Sequence, residues 1–249
     1  MRKIFQNEWH GIRFKDFIAV SPVRIAAADF YKEYYKKLLG RYRDWDELDP
    51  EWVELKIQTA EFLRDGFSGL GDIRILSVGC GIGMIEKALL GIGPFNLSIA
   101  EGSGESLAWI RKHMPEEKIF VGTFPGCIPP DIGFDVIYLA GVEYCLDQEQ
   151  LTALLKNVRF RLLKGGRCIL ISWSFEPSAF FDILLNELKN ISRRFLETLG
   201  LKERGQLWGY SRNRNEFFNA MRSAGFRVIQ DGMFKKKTRW DTYWVEAKA

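Results

Sequence analysis

The sequence predicts an α/β protein: a doubly wound, seven-stranded, mostly parallel sheet with an antiparallel last hairpin, N-terminal helices and a helical insertion. Three observations predict it. An apolar run at residues 73–78 ends in Gly79, Gly81 and Gly83, and Met84, Ile85, Ala88 and Leu89 follow at helical spacing. From residue 97 to 173 short apolar runs alternate with helical patterns, as in a parallel sheet covered on both faces. Two late strand patterns, 226–229 and 239–247, flank Lys235, Lys236 and Lys237, which suits an antiparallel hairpin at the sheet edge.

The elements follow in order. Residues 1–20 mix Phe5, Trp9, His10, Phe14 and Phe17 with charges and show no period, so an irregular arm is expected. Ser21-Pro22 is a helix-start signal, with serine as cap and proline in the first turn; the helix it predicts runs over 23–42. Asp49-Pro50 repeats the signal before a second helix that stops near Gly66. Beyond the glycine turn come a strand at 97–100, a helix at 106–113 and strands at 119–121 and 134–139. A helix at 148–163, closed by Lys164-Gly165-Gly166, leads to a strand at 167–173. Helices at 179–200 and 215–224 flank a polar, glycine-bearing link at 202–214. The division is therefore an N-terminal helical arm or cap at 1–70 and an α/β domain at 71–249, with a helical lid insertion at about 176–214.

Composition bounds the function. With 47% hydrophobic and 14% aromatic residues among 249, the chain can bury a sizeable core. A net charge of +4 argues against a dedicated nucleic-acid binder. Cys80, Cys127, Cys145 and Cys168 are widely spaced and histidines number two, so no metal site is expected and the thiols suit a reducing compartment. With no apolar leader core and no run of 18 apolar residues, the chain reads as soluble and cytoplasmic, with no membrane partner.

The chemistry starts at the glycine turn. Strand, glycine-rich turn and helix bring backbone N–H groups and a helix N-terminus up to a ligand. Glu101 ends the second strand, 22 residues after Gly79. An acid at that place in a doubly wound fold accepts hydrogen bonds from the two ribose hydroxyls of a nucleotide.

At this point the chain resembles the class I S-adenosylmethionine-dependent methyltransferases, which are Rossmann-like. The likeness covers about residues 71–175 and, more weakly, 215–249. It rests on Val78-Gly-Cys-Gly-Ile-Gly83, Ala100-Glu101-Gly-Ser, Val121-Gly-Thr-Phe and the run from Phe134 to Tyr144. The segment from Leu162 to Ile171 and the late helix ending in Ala224-Gly-Phe are similar to family elements as well. The resemblance implies that Gly79, Cys80, Gly81 and Gly83 form the turn around the cofactor S-adenosylmethionine. Glu101 would hold the ribose, with Gly102 and Ser103 beside the adenosine. Gly122, Thr123 and Phe124 would flank the adenine. Ala140 and Gly141 would face the methionine side.

Two departures stand out. Ser77 occupies the place where the family carries an acid, two residues before the first glycine; Tyr34, Tyr35 or Lys56 are candidate substitutes. Val142-Glu143-Tyr144 stands where many relatives show Leu-Glu-His, so the candidate catalytic groups become Tyr144 and His10. A phenol of ordinary pKa is a poor base at neutral pH. Trp208, Tyr210 and Arg212, with Arg214, form a polar-aromatic cluster that suits a lid over the acceptor.

The predicted function is methyl transfer to a small-molecule or glycan-like acceptor, at oxygen. Transfer to nitrogen and a catalytically inactive cofactor-binding scaffold stay open as alternatives. Ala140-Gly-Val-Glu lacks the Asn/Asp-Pro-Pro-aromatic run of base methyltransferases, so no nucleic-acid partner is expected. A nicotinamide fingerprint would need its third glycine at Met84, and Gly83 comes one residue early.

Overall fold

The computed structural model describes residues 1–176, 205–234 and 242–249. The element order begins with β1 (Arg2–Gln6), β2 (Glu8–Trp9), β3 (Ile12–Arg13), α1 (Ala28–Arg41), α2 (Pro50–Phe67), β4 (Arg74–Val78) and α3 (Met84–Ile92). It continues with β5 (Asn96–Glu101), β6 (Ile119–Val121), β7 (Phe134–Ala140), α4 (Gln148–Arg161) and β8 (Leu162–Ser172). The last elements are β9 (Gln206–Ser211), α5 (Arg214–Ser223), β10 (Arg227–Phe234) and β11 (Thr242–Lys248).

The central sheet has seven strands in the order β10-β11-β8-β7-β4-β5-β6. β6, β5, β4, β7 and β8 run parallel, and β11 lies antiparallel between β8 and β10, so that β10 runs in the direction of the other five. The expected architecture is therefore present, hairpin included. The chain leaves β4 toward β5 and β6 on one side, then returns to lay β7 on the other. The crevice at such a switch point, at the carboxyl ends of the strands, is where open α/β sheets bind ligands.

The inner strands are apolar on both faces because both faces are covered. Ile75, Ile99, Val136, Tyr138, Ile169 and Ile171 pack with α1, α2 and α3 in one core layer. Leu76, Ala100, Ile137, Leu139, Leu170 and Val245 pack with α4 and α5 in the other. The starts of α2, α4 and α5 are capped by side chains. Asp49 accepts from Glu51 and Trp52 with Pro50 in the first turn, and Asp147 and Asn213 form full capping boxes with Gln150 and Glu216. Each such cap stabilises its helix by about 1 kcal/mol.

Several expectations are corrected. The arm at 1–20 is not irregular: β1 pairs antiparallel with β9, and β2 pairs with β3. The link at 202–214 is not a polar loop, because its residues 206–211 form β9. The first helix begins at Ala28, not after Ser21-Pro22. Residues 21–26 are drawn along β9 instead, with Leu207 N donating to Ser21 O at 2.8 Å and Ala26 N to Leu207 O at 3.0 Å. Backbone pairing to a distant strand outcompetes the local start signal. The helix expected at 106–113 is replaced by short 3-10 turns at Glu105–Ala108 and Ile110–Lys112. The helix expected at 179–200 and the lysines at 235–237 lie outside the described residues. No described helix is long and apolar enough to cross a membrane.

Candidate active site

Two tight turns close the switch point. At Gly79, after β4, φ is 73°, and a Cβ would lie 2.4 Å from Val142 Cγ2. At Gly141, after β7, φ is 71°, and a Cβ would lie 2.0 Å from Trp173 Cζ3. Only glycine satisfies both the left-handed backbone and the contact. Gly79 N donates to Ala100 O and Gly141 N to Ile171 O, so each turn is locked to a neighbouring strand. Gly83 ends the turn as the cap of α3 and packs on Ile110.

The first cavity, about 500 Å³, opens beyond the end of β5 between Glu101, Gly102, Ser103, Gly79, Gly81 and Tyr35. Glu101 accepts from Gly81 N at 2.7 Å and from Ser103 N at 2.9 Å, one bond on each oxygen. Each oxygen keeps a lone pair for a hydroxyl donor. Burial pushes the Glu101 carboxyl up, and the backbone donors Ser103, Gly81 and Gly102 oppose that shift. A rigid acid facing a glycine turn fits a vicinal diol. Gly122, Thr123 and Phe124 follow β6 and line neither this cavity nor the two below; Gly122 N donates to Glu101 O at 2.9 Å.

The second cavity, about 120 Å³, lies between the sheet and α1, α2 and α3. It shares Gly79, Gly81, Gly141, Tyr35 and Tyr144 with the first, and Cys80 and Ala140 line it too. Ser77 forms part of its wall and donates to Glu86 Oε1 at 2.6 Å. Tyr138 donates to the same oxygen at 2.6 Å. Glu86 is only 1% exposed. Burial raises its pKa, and the Ser77 and Tyr138 hydroxyls and the Lys56 charge oppose the rise. The Lys56 ammonium lies 3.2 Å from the centre of the Trp173 ring and 5.0 Å from that of Trp52.

The third cavity, about 700 Å³, is walled by Trp9, Tyr42, Trp52, Tyr144, Trp173 and Trp208. His10 lies where it meets the second cavity and lines both. The His10 ring stacks on Trp9 with centroids 4.9 Å apart and meets Trp52 edge-on at 5.0 Å. Its φ is 48°, uncommon for a side-chain-bearing residue; the Tyr42 hydroxyl holds its carbonyl at 2.8 Å. Burial, then the Lys56 charge, pushes the imidazole down to about 4. It is neutral at pH 7, and its buried Nε2 has no partner among the described residues.

The other expected site residues divide. Tyr144 lines all three cavities. Its phenol is buried, which pushes its pKa well above the ordinary value and further from that of a base suited to neutral pH. Trp208 faces the aromatic cavity, but from a strand and not a lid. Tyr210 and Arg212 line none of the three cavities. Arg212 is fully buried and donates to the carbonyls of Glu143 and Leu146 and to Gln148 Oε1, so it ties the loop after β7 to β9. Arg214 pairs with Asp231 on the surface. Tyr34 is core, stacked on Trp9 at 5.0 Å.

The sequence reading missed Glu86, Trp9, Trp52 and Trp173. Glu86 had a signal. It sits on the buried stripe of α3 with Met84, Ile85 and Leu89, where an acid is out of place unless it has a task.

No family model matches the chain, and no curated protein sequence matches it. Solved structures do. A magnesium protoporphyrin IX methyltransferase from Synechocystis PCC 6803, with S-adenosylhomocysteine bound, superposes with a TM-score of 0.59 at 15% identity, over 88% of this chain and 96% of its own. The N-methyltransferase NodS from Bradyrhizobium japonicum WM9, in complex with S-adenosylhomocysteine, gives 0.55 at 16% identity, over 88% and 97%. The glycopeptide N-methyltransferase MtfA, complexed with sinefungin, gives 0.56 at 15% identity, over 77% and 93%. The chain has the class I methyltransferase fold. In a chain of this fold, the crevice at the switch point and its three connected cavities mark the candidate active site.

Proposed function

We propose that this chain is an S-adenosylmethionine-dependent methyltransferase acting on a hydroxyl of a ring-bearing small molecule. One observation carries the reading: a diol-binding cavity, a narrow polar cavity and an aromatic cavity join end to end around Tyr144. The sulfonium of S-adenosylmethionine is the branch point of nucleoside, amino-acid end and transferable methyl, so three cavities that share one residue suit nucleoside, amino-acid end and acceptor. The residues fit the cofactor. Glu101 meets the ribose hydroxyls, Gly102 and Ser103 flank the nucleoside, and Gly79, Cys80, Gly81, Ala140 and Gly141 form the floor of the middle. Gly122, Thr123 and Phe124 stand back from it, so the adenine is held chiefly from the Glu101 side.

When bound, S-adenosylmethionine supplies a methyl group already activated by its sulfonium. The residues of the chain then orient the acceptor and exclude water. Indole and phenol walls stack on aromatic rings and on the apolar faces of sugars. Tyr144 positions the acceptor at the meeting point of the cavities. As the methyl's C–S bond breaks and its C–O bond forms, His10 Nε2, without a partner among the described residues, would take the acceptor's hydroxyl proton.

Methylation at nitrogen is the second reading. It is favoured by Glu8 and Asp49 at the mouth of the aromatic cavity, since carboxylates with aromatic faces attract a cationic amine. Calorimetric titration with S-adenosylhomocysteine and with NAD, followed by a methyl-transfer screen of phenols, glycosides and amines, tests the reading. Expected are binding of S-adenosylhomocysteine alone and turnover of a hydroxyl acceptor that His10→Gln reduces about 100-fold. Binding of NAD without S-adenosylhomocysteine would overturn the cofactor assignment. Turnover confined to amines and unchanged in His10→Gln would replace oxygen by nitrogen.

A further inference from the structure

The middle cavity holds an acid where the β4 strand end does not supply one. Ser77 and Tyr138 both donate to Glu86 Oε1, which leaves Oε2 buried in the wall with no partner among the described residues. A carboxylate buried in this way is costly unless a cation meets it. Lys56, also buried, stands in the same wall on its aromatic seat. The cavity thus offers a carboxyl and an amino group within a space of about 120 Å³, too small for a nucleoside and sized for a compact dipolar head group. It opens into the diol-binding cavity through Gly79, Gly81 and Gly141.

We propose that Glu86 and Lys56 form the receptor for the zwitterionic amino-acid end of the cofactor, with Glu86 Oε2 accepting from its α-ammonium and Lys56 donating to its α-carboxylate. The inference rests on the cofactor reading above and deepens it. It assigns to the helix after the glycine turn the acid missing from the strand before it. Ser77 is then a positioning residue: its hydroxyl, with that of Tyr138, fixes one carboxylate oxygen so that the other faces the ligand.

Calorimetry with three ligands tests this without reference to turnover. S-adenosylhomocysteine carries the whole head group, 5′-methylthioadenosine carries none of it, and decarboxylated S-adenosylmethionine keeps the ammonium alone. The wild-type protein is expected to bind S-adenosylhomocysteine at least about tenfold more tightly than 5′-methylthioadenosine. Glu86→Gln, which keeps an acceptor for Ser77 and Tyr138, is expected to weaken S-adenosylhomocysteine by about 10- to 100-fold. Its affinity for 5′-methylthioadenosine should stay within about twofold. Lys56→Gln is expected to weaken S-adenosylhomocysteine similarly and to leave decarboxylated S-adenosylmethionine unchanged. Equal loss for both thioether nucleosides in Glu86→Gln would overturn the proposal and mark Glu86 as structural. Should that variant not fold, wild-type affinities that do not distinguish S-adenosylhomocysteine from 5′-methylthioadenosine would overturn it alone. Failure of all three ligands to bind the wild type would instead overturn the cofactor reading.

Discussion

A single methyl group at Gly79 probes how the two turns of the switch point close on each other. Gly79→Ala places a Cβ on a backbone with φ of 73°, where an L-residue is disfavoured by about 1–2 kcal/mol. The same Cβ would sit 2.4 Å from Val142 Cγ2, over 1 Å inside the roughly 3.5–4.0 Å at which carbons rest. Relief requires Val142 or its loop to move, at about 1–3 kcal/mol for an overpacked contact. The expected destabilisation is therefore about 2–5 kcal/mol. Val142→Ala removes both γ-carbons, and the nearest side-chain atom left at residue 142, its Cβ, lies at 3.6 Å, an ordinary contact. In the double variant the clash should vanish and only the backbone cost of about 1–2 kcal/mol remain. Urea unfolding of the four proteins measures this as a coupling of about 1–3 kcal/mol. Additive effects, within about 0.5 kcal/mol, would refute the claim that Val142 is what forbids a side chain at Gly79.

His10 predicts a pH dependence whose sign follows from its depressed pKa. As pH falls through the ordinary value of about 6.5, the unfolded chain takes up the proton first, while folded His10 waits until about 4. Its contribution to stability is complete above pH 6.5 and lost between there and pH 4, on the order of 3 kcal/mol. Urea unfolding at stepped pH should therefore show a steeper acid loss in wild type than in His10→Gln, and parallel curves would contradict the buried neutral imidazole. Glu101→Ala should weaken S-adenosylhomocysteine by about 10- to 100-fold through loss of charge-assisted bonds to the ribose; calorimetry giving an unchanged Kd would refute that assignment. Tyr144→Phe keeps the wall and removes the phenol, so kcat should change less than about tenfold. A 1000-fold fall would make Tyr144 a base after all. Arg212→Met strands the carbonyls of Glu143 and Leu146 and should cost about 2–4 kcal/mol of unfolding free energy. Loss of acceptor binding with full stability would return Arg212 to the acceptor site.

Much of the molecule was legible in its sequence because the signals are local. The run from Ile75 to Val78 puts apolar residues on both faces, with Ser77 the one polar side chain, and that pattern implies a covered, parallel strand. Glu101 follows from its distance to Gly79, because one strand–turn–helix–strand unit has little freedom in length. The β1–β9 pair was not legible. Its partners lie some 200 residues apart, and neither strand shows a two-residue alternation strong enough to announce itself. The same distance misled the reading of 202–214, where glycines and arginines looked like a lid. Gly209 is there because a Cβ would lie 2.5 Å from Tyr144, and Arg212 because the loop after β7 needs a donor.

The sequence by itself determined the sheet, the glycine turn and the acid opposite it, since each depends on neighbours within a few tens of residues. Only the tertiary structure decided what stands beyond them. Four tryptophans from β2, α2, the end of β8 and β9 meet as one cavity wall, and no spacing along the chain connects them. Ser77 shows the same division. Its sequence position says that an acid is missing. The packing of α3 against β4 and β7 says where a carboxylate lies instead, because the helix phase that buries Met84 and Leu89 also turns Glu86 onto Ser77 and Tyr138.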